Sequence, residues 1–213
     1  RVTGQQAGTV GGAWSVGGGT LQLGSGSTAG GIKGTIDINS GGTLTNGQSL
    51  TGSVAGSVLT NSGGTVALQA VASGPALTST GSFALFGGST FDVTLGAPTT
   101  TALVATDLNL SYAGALVINA NSTLAEGTYT LVSYGGNLAG SNNGFTSITG
   151  SSDFEYTAGV DTTAKLLTLQ VVGAGLSWNG TTTTGSSGPV AGGSGTWTAS
   201  NSVTNWTNSA GTS

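Results

Sequence analysis

The chain has 213 residues, of which 41 are glycine and only 5% are charged, and its formal net charge is −4. Soluble domains usually contain about 25% charged residues, so most of the polarity here comes from Ser, Thr and Asn. The three cations, Arg1, Lys33 and Lys165, exclude a nucleic-acid surface and a polybasic lipid-binding patch, because both need clustered Lys and Arg.

Residues 1–80 contain a repeated phrase. Residues 39–44 read N-S-G-G-T-L and residues 61–66 read N-S-G-G-T-V, an offset of 22 positions, and residues 18–21 carry the shorter copy G-G-T-L. Repeats of 20 to 50 residues are typical of solenoids, in which each unit buries its apolar face against its neighbours. We therefore expect regular β-helix repeats over residues 1–80, in three or four coils.

The apolar residues inside each repeat have strand spacing. Ile36 and Ile38 alternate with polar residues, which is the period-2 pattern of a half-buried strand. The 22-residue register predicts that Ile36 stacks on Val58, and that Leu44 stacks on Val66, with all four side chains pointing inward. Helix caps with apolar i, i+3, i+4 spacing are missing, so helix should be nearly absent.

Residues 81–172 change in character. The strand-like segments become longer, aromatic residues appear and the 22-residue phrase is lost. This region is interpreted as an irregular continuation of the β-helix or as a small β domain with antiparallel hairpins, and the persisting strand cadence favours the continuation. The fold class predicted for the whole chain is all-β, a parallel β-helix (solenoid) whose second half is less regular, with possible hairpins.

Residues 173–213 are read as a Gly/Ser/Thr-rich linker followed by the start of a further repeat. Three tryptophan words occur here, W-N-G at 178–180, G-T-W at 195–197 and N-W at 205–206. Trp178, Trp197 and Trp206 are candidates for stacking on sugar rings, and the alternative is that they pack an end cap or a junction between coils.

The sequence contains no histidine and no cysteine, which excludes Ser-His-Asp and Cys-His catalysis and the usual zinc sites. Among the seven acidic residues, only Asp153 and Glu155 are close in sequence, at i, i+2 positions expected to share a strand face. We expect no catalysis and no cofactor. The remaining metal hypothesis is calcium, with oxygen ligands from Asp153, Glu155 and Asp161 and from Asn142 or Asn143.

Taken together, the G-G-T-L and G-G-T-V phrases, the segment G-T-Y-T-L-V-S-Y-G at 127–135 and the tryptophan words are similar to bacterial autotransporter passenger regions with autotransporter-associated β-strand repeats. This resemblance implies a right-handed parallel β-helix displayed outside a Gram-negative cell, often for adhesion. The expected partners are a host or neighbouring cell surface, or other copies of the chain. The family's signal peptide and membrane barrel are missing from this sequence, so membrane attachment would depend on an anchoring domain outside it, and we expect an excised passenger fragment.

Three functions follow as hypotheses. The first is a non-catalytic extracellular passenger that acts as an adhesin or a structural stalk. The second is a self-assembling extracellular fibre subunit. The third is a polysaccharide-binding or polysaccharide-active β-helix, which would need at least two carboxylates converging in a groove.

Overall fold

Short runs of alternating apolar and polar residues, separated by glycine corners, form strands throughout the chain. The computed structural model describes residues 12–25, 27–47, 50–95, 100–111, 114–119, 124–140 and 145–173, together with the backbone of residues 4–5, 177–178 and 206–207. These residues contain no helix, and so none that could cross a membrane. The strands are β1 (Gly4–Gln5), β2 (Trp14–Val16), β3 (Gly19–Leu23), β4 (Gly30–Lys33), β5 (Ile36–Ile38), β6 (Gly42–Asn46), β7 (Gly52–Ala55), β8 (Val58–Thr60), β9 (Thr65–Leu68), β10 (Leu77–Ser79), β11 (Ser82–Leu85), β12 (Thr90–Thr94), β13 (Thr101–Ala105), β14 (Asp107–Leu110), β15 (Ala115–Asn119), β16 (Gly127–Tyr134), β17 (Leu138–Gly140), β18 (Ser147–Thr149), β19 (Phe154–Asp161), β20 (Leu166–Gly173), β21 (Ser177–Trp178) and β22 (Trp206–Thr207).

From β1 to β18 every third strand belongs to the same sheet, which makes the fold a three-sided β-solenoid. Sheet 1 has the order β1-β4-β7-β10-β13-β16-β20-β19. Sheet 2 runs β2-β5-β8-β11-β14-β17, and sheet 3 runs β3-β6-β9-β12-β15-β18. Four consecutive turns, from β4 to β15, contribute one strand to each sheet. The predicted all-β solenoid is confirmed.

The predicted register is confirmed in the regular part. Ile36 pairs with Val58 and Leu44 pairs with Val66 in parallel sheets, and all four side chains are 0% exposed. Their neighbours along each strand face outward, because side chains alternate between the two faces of a strand.

The later turns keep the parallel register but become longer. Val58 pairs with Phe83, 25 residues on, and Phe83 pairs with Leu108 after another 25. Leu108 then pairs with Leu138, 30 residues on. The predicted loss of the 22-residue repeat is therefore a change of turn length, while the inward apolar column of sheet 2 is maintained.

An antiparallel hairpin follows the parallel turns, as the expectation of hairpins in the second half anticipated. Strand β20 pairs antiparallel with β16, with a register shift between Thr130 and Val132, and β19 lies next to β20. Tyr129, Leu167 and Leu169 are buried there. The hairpin therefore continues sheet 1 past the point where sheets 2 and 3 stop.

The repeated N-S-G-G-T phrase forms the corner between sheets 2 and 3. The Asn61 side chain donates to the Asn39 Oδ1 at 2.9 Å, and the Asn39 side chain donates to the Ser15 Oγ at 3.0 Å. Gly63 has a φ of +74°, a conformation that glycine adopts without steric cost. The phrase recurs because each turn needs the same corner geometry.

The chain divides into two compact units. The first comprises residues 1–151 and 156–171, and it contains the solenoid and the paired part of the hairpin. The second comprises residues 152–155 and 172–213. Within the second unit, β21 and β22 form an antiparallel pair.

Candidate functional site

The carboxylates of the solenoid are dispersed over its surface. Asp37 lies on sheet 2, where its register partner on the next turn is Leu59. Asp92 lies on sheet 3 between Ala67 and Val117, and Asp107 pairs with Ser82. None of these three carboxylates lies opposite another one in the sheet register.

Three of the acidic side chains accept hydrogen bonds that support the fold. The Asp107 Oδ1 accepts from the backbone N–H of Asn137 at 2.7 Å, which links successive turns. The Asp92 Oδ1 accepts from the side-chain amide of Asn119. The Asp161 Oδ1 accepts from the backbone N–H groups of Thr163 and Ala164, at 2.9 and 2.8 Å, and so closes the hairpin turn.

The calcium candidates take different positions. Strand β19 begins at Phe154, so Asp153 lies in the preceding turn, and the expectation that Asp153 and Glu155 share a strand face is wrong. Asp161 ends the same strand and binds its own turn, and Asn142 and Asn143 lie outside the described residues. In the part of the chain that the structure describes, no three acidic side chains are close enough to hold a metal ion.

Two of the three candidate tryptophans are brought into register. Trp178 in β21 pairs with Trp206 in β22, and this places them at facing backbone positions of an antiparallel ribbon. Trp197 lies outside the described residues. Sugar stacking by the tryptophans therefore remains a prediction.

Two titratable groups have shifted pKa values. Burial raises the pKa of Asp92 above its ordinary value of 3.8, because the charged form loses hydration. Burial also raises the pKa of Tyr134, and the nearby negative charge of Asp161 adds to that effect. Both shifts follow from packing of the solenoid and hairpin.

One buried polar residue was missed in the sequence. Asn46 is 2% exposed and follows the apolar positions of β6, where Leu23 is its register partner. Its side chain donates to the carbonyls of Leu50 and Gln69, and its Oδ1 accepts from the Gln69 N–H at 2.8 Å. An Asn-Gly pair at the end of a strand was the available signal for a corner residue.

The outer face of sheet 3 carries a row of threonines that was not predicted from the sequence. Thr20, Thr43, Thr65 and Thr90 occupy one register position on β3, β6, β9 and β12. We call these four residues the threonine row. Three of them are the threonines of the repeated G-G-T phrase, so the motif that forms the corner also forms the row.

A shallow depression lies at the corner between sheets 3 and 1. It is lined by residues that carry no charge, among them Leu68, Val71, Ala76, Leu95 and Ala102. A groove for glycoside hydrolysis needs two carboxylates about 5 to 10 Å apart, and the described residues that line this depression provide none.

Comparison of the chain with protein-family models, with curated proteins and with solved structures finds no match.

Proposed function

We propose that the chain is a non-catalytic, extracellular passenger segment that acts as a rigid stalk or adhesin on a bacterial surface. The observation that carries the proposal is the unbroken parallel register, which runs through six strands in each of sheets 2 and 3. Each inner strand of these sheets is hydrogen-bonded on both sides. Such a solenoid is stiff, and its faces and corners present side chains at fixed positions.

The polar surface supports the same proposal. Outward positions on all three sheets include Thr, Ser and Asn, and the corner side chains of Asn39 and Asn61 bond to each other between turns. These contacts carry no charge, so stacking many identical corners brings no like-charge repulsion. Recognition by such a surface depends on shape and hydrogen bonding more than on charge.

The distribution of carboxylates favours a non-catalytic role over polysaccharide cleavage. Asp37 and Asp107 lie on sheet 2 and Asp92 lies on sheet 3, and Asp92 and Asp107 accept hydrogen bonds from neighbouring turns. A general acid needs a second carboxylate across the scissile bond. The described residues of the solenoid offer no such pair in register.

A fibre subunit is the second candidate. Strands β17 and β18 each have a partner on one side only in sheets 2 and 3, and edges of this kind accept additional strands. The hairpin, however, adds β20 and β19 to sheet 1 beyond these edges. A copy stacked straight onto β17 and β18 would meet the hairpin, so we favour the stalk.

The proposal is tested by displaying the chain on a laboratory Gram-negative strain, between a signal peptide and a membrane barrel supplied from another protein. We expect greater adhesion to surfaces or to neighbouring cells than the same anchor gives without the chain. The matched control is Val58→Asn, which disrupts the core and should remove the gain at equal surface amounts. Equal adhesion with and without the intact chain would refute the adhesin role.

Catalysis is tested separately with a panel of neutral and acidic polysaccharides. We expect no new reducing ends and no unsaturated products from the purified chain. Any turnover that is lost in Asp153→Ala or Glu155→Ala would replace the adhesin proposal with an enzymatic one.

A further inference from the structure

The side chains on the outer face of sheet 3 form a regular array. The threonine row, Thr20, Thr43, Thr65 and Thr90, continues on β15 and β18 as Ala115 and Ser147. Neighbouring strands lie about 4.7–4.9 Å apart, so the row repeats one hydroxyl and one methyl group at that interval. The inward neighbours Leu44, Val66 and Phe91 are fully buried, which fixes the direction of the threonines.

The four hydroxyls of the row are not used by the protein. In the described part of the chain none of the four hydroxyls has a hydrogen-bond partner. On sheet 1, by contrast, the Thr78 hydroxyl donates to the Gly52 carbonyl and the Thr168 hydroxyl donates to the Gly159 carbonyl. These two threonines of sheet 1 therefore bind backbone carbonyls, whereas the hydroxyls of the row are available to a ligand.

Strand propensity alone does not explain the row. Thr is favoured in strands generally, but the equivalent outward row of sheet 2 reads Ser15, Asp37, Leu59, Ala84 and Asn109. That of sheet 1 includes Ser53, Thr78 and Val104. A run of identical hydroxyl-bearing residues occurs on sheet 3 and not on these two faces.

The row next to the threonines is nearly uncharged. The next outward row contains Gln22, Thr45, Ala67, Asp92 and Val117, with no aromatic, lysine or arginine side chain. Asp92 is its single charged residue and is hydrogen-bonded by Asn119. Because Thr is β-branched, its χ1 angle is restricted, so the array is ordered before any ligand arrives.

We propose that this face binds ordered water at the surface of an ice crystal. Hexagonal ice repeats its oxygen positions at an interval close to the strand spacing of a β-sheet, so successive hydroxyls of the row meet successive lattice sites. The methyl groups between them fit the spaces of the lattice. The described residues of this face include no cation for an anionic polymer and no aromatic ring for sugar stacking, and these absences favour a neutral, periodic solid. This inference is independent of the adhesin proposal.

The test measures thermal hysteresis, the gap between the melting and freezing points of a seeded crystal, together with the fraction of protein retained in slowly grown ice. The variant Thr65→Tyr places a bulky ring in the middle of the row. The matched control Ser53→Tyr places the same ring on the outer face of sheet 1. Circular dichroism melting confirms that each variant is folded, and Thr65→Val, which keeps the shape but removes the hydroxyl, serves if Thr65→Tyr does not fold.

We expect thermal hysteresis and ice retention for the natural chain and for Ser53→Tyr, and loss of both for Thr65→Tyr. If Thr65→Val is used instead, we expect a smaller thermal hysteresis for that variant. No hysteresis and no retention for the natural chain would overturn the proposal, as would equal losses in Thr65→Tyr and Ser53→Tyr. Binding to insoluble cellulose combined with exclusion from ice would assign the face to a carbohydrate surface instead.

Discussion

The side-chain amide of Asn61 donates a 2.9 Å hydrogen bond to the side-chain oxygen of Asn39, its counterpart one turn earlier. The Asn39 amide in turn donates to the Ser15 hydroxyl. Three turns are thus joined by side chains at one corner, in addition to the backbone ladders. Asn39, the central residue, makes two of these hydrogen bonds, and Asn61 makes one.

The position of Asn39 gives the first prediction. Asn39→Ala removes both side-chain contacts and leaves the Asn61 amide without its acceptor, so it should lower the free energy of unfolding by roughly 1–3 kcal/mol. Asn61→Ala removes one contact and should cost less. Urea denaturation of both variants measures the difference, and an equal or larger loss in Asn61→Ala would contradict the ladder as described.

The core register gives the second prediction. Val58 is fully buried between Ile36 and Phe83, so Val58→Asn places an amide in an apolar core and should cost roughly 3 kcal/mol or more. Leu59 follows on the same strand and faces outward, and Leu59→Asn should have a much smaller effect. Thermal melting of the pair checks the assignment of inside and outside. Similar melting temperatures for the two variants would show that the register is wrong.

Two glycines with nearly equal φ angles give the third prediction. Gly63 and Gly74 have φ values of +74° and +77°, but a Cβ on Gly63 would lie 2.7 Å from the Ser40 Oγ, whereas one on Gly74 would meet nothing within 4 Å. Gly74→Ala should cost about 1–2 kcal/mol from the backbone alone. Gly63→Ala should cost more, because Ser40 on the previous turn must also move. Chemical denaturation measures the loss of unfolding free energy in each variant and so separates the backbone cost from the cost of moving Ser40. Equal losses in the two variants would mean that the corner is loosely stacked.

The half-buried carboxyl of Asp92 gives a pH prediction. Because its pKa is raised in the folded state, folding takes up protons at this site, and the ionised form lowers stability. Asp92→Asn should therefore melt at a higher temperature than the natural chain at pH 7. The difference should shrink as the pH falls through the raised pKa and should vanish below the ordinary value of 3.8. Melting curves from pH 3 to pH 7 test this, and a difference that grows on acidification would reverse the sign of the argument.

The regular turns could be predicted from the sequence because a strict repeat converts directly into register. The 22-residue offset placed Ile36 on Val58, since strand alternation leaves one inward choice. The offset of 25 between Val58 and Phe83 was not predictable, because the added residues lie in the connections and the inward side chain changes from Val to Phe. A sequence repeat is recognised by identical residues, whereas the solenoid requires only an apolar side chain at the inward position of each turn.

Two further features could not be predicted from the sequence, for different reasons. Asn46 is polar, and the sequence did not indicate that hydrogen bonds to Leu50 and Gln69 would allow it to be buried. The reversal of direction at β20 leaves no mark on composition, since antiparallel and parallel strands use the same residues. Of the candidate site residues, the sequence could indicate that the acids were scattered, but not that Asp107 and Asp161 were bound to neighbouring backbone groups.

The short offset between paired strands has a consequence for how the chain folds. Partners in the parallel sheets lie between 22 residues apart, as in Ile36 and Val58, and 32 apart, as in Leu116 and Ile148. The entropy of closing a loop grows only slowly over that range, so the longer turns are nearly as easy to close as the short ones. Contacts of such modest sequence separation form quickly compared with those of a sandwich. A chain that emerges end first can therefore lay each new turn on the last one as soon as it is available, without waiting for distant segments.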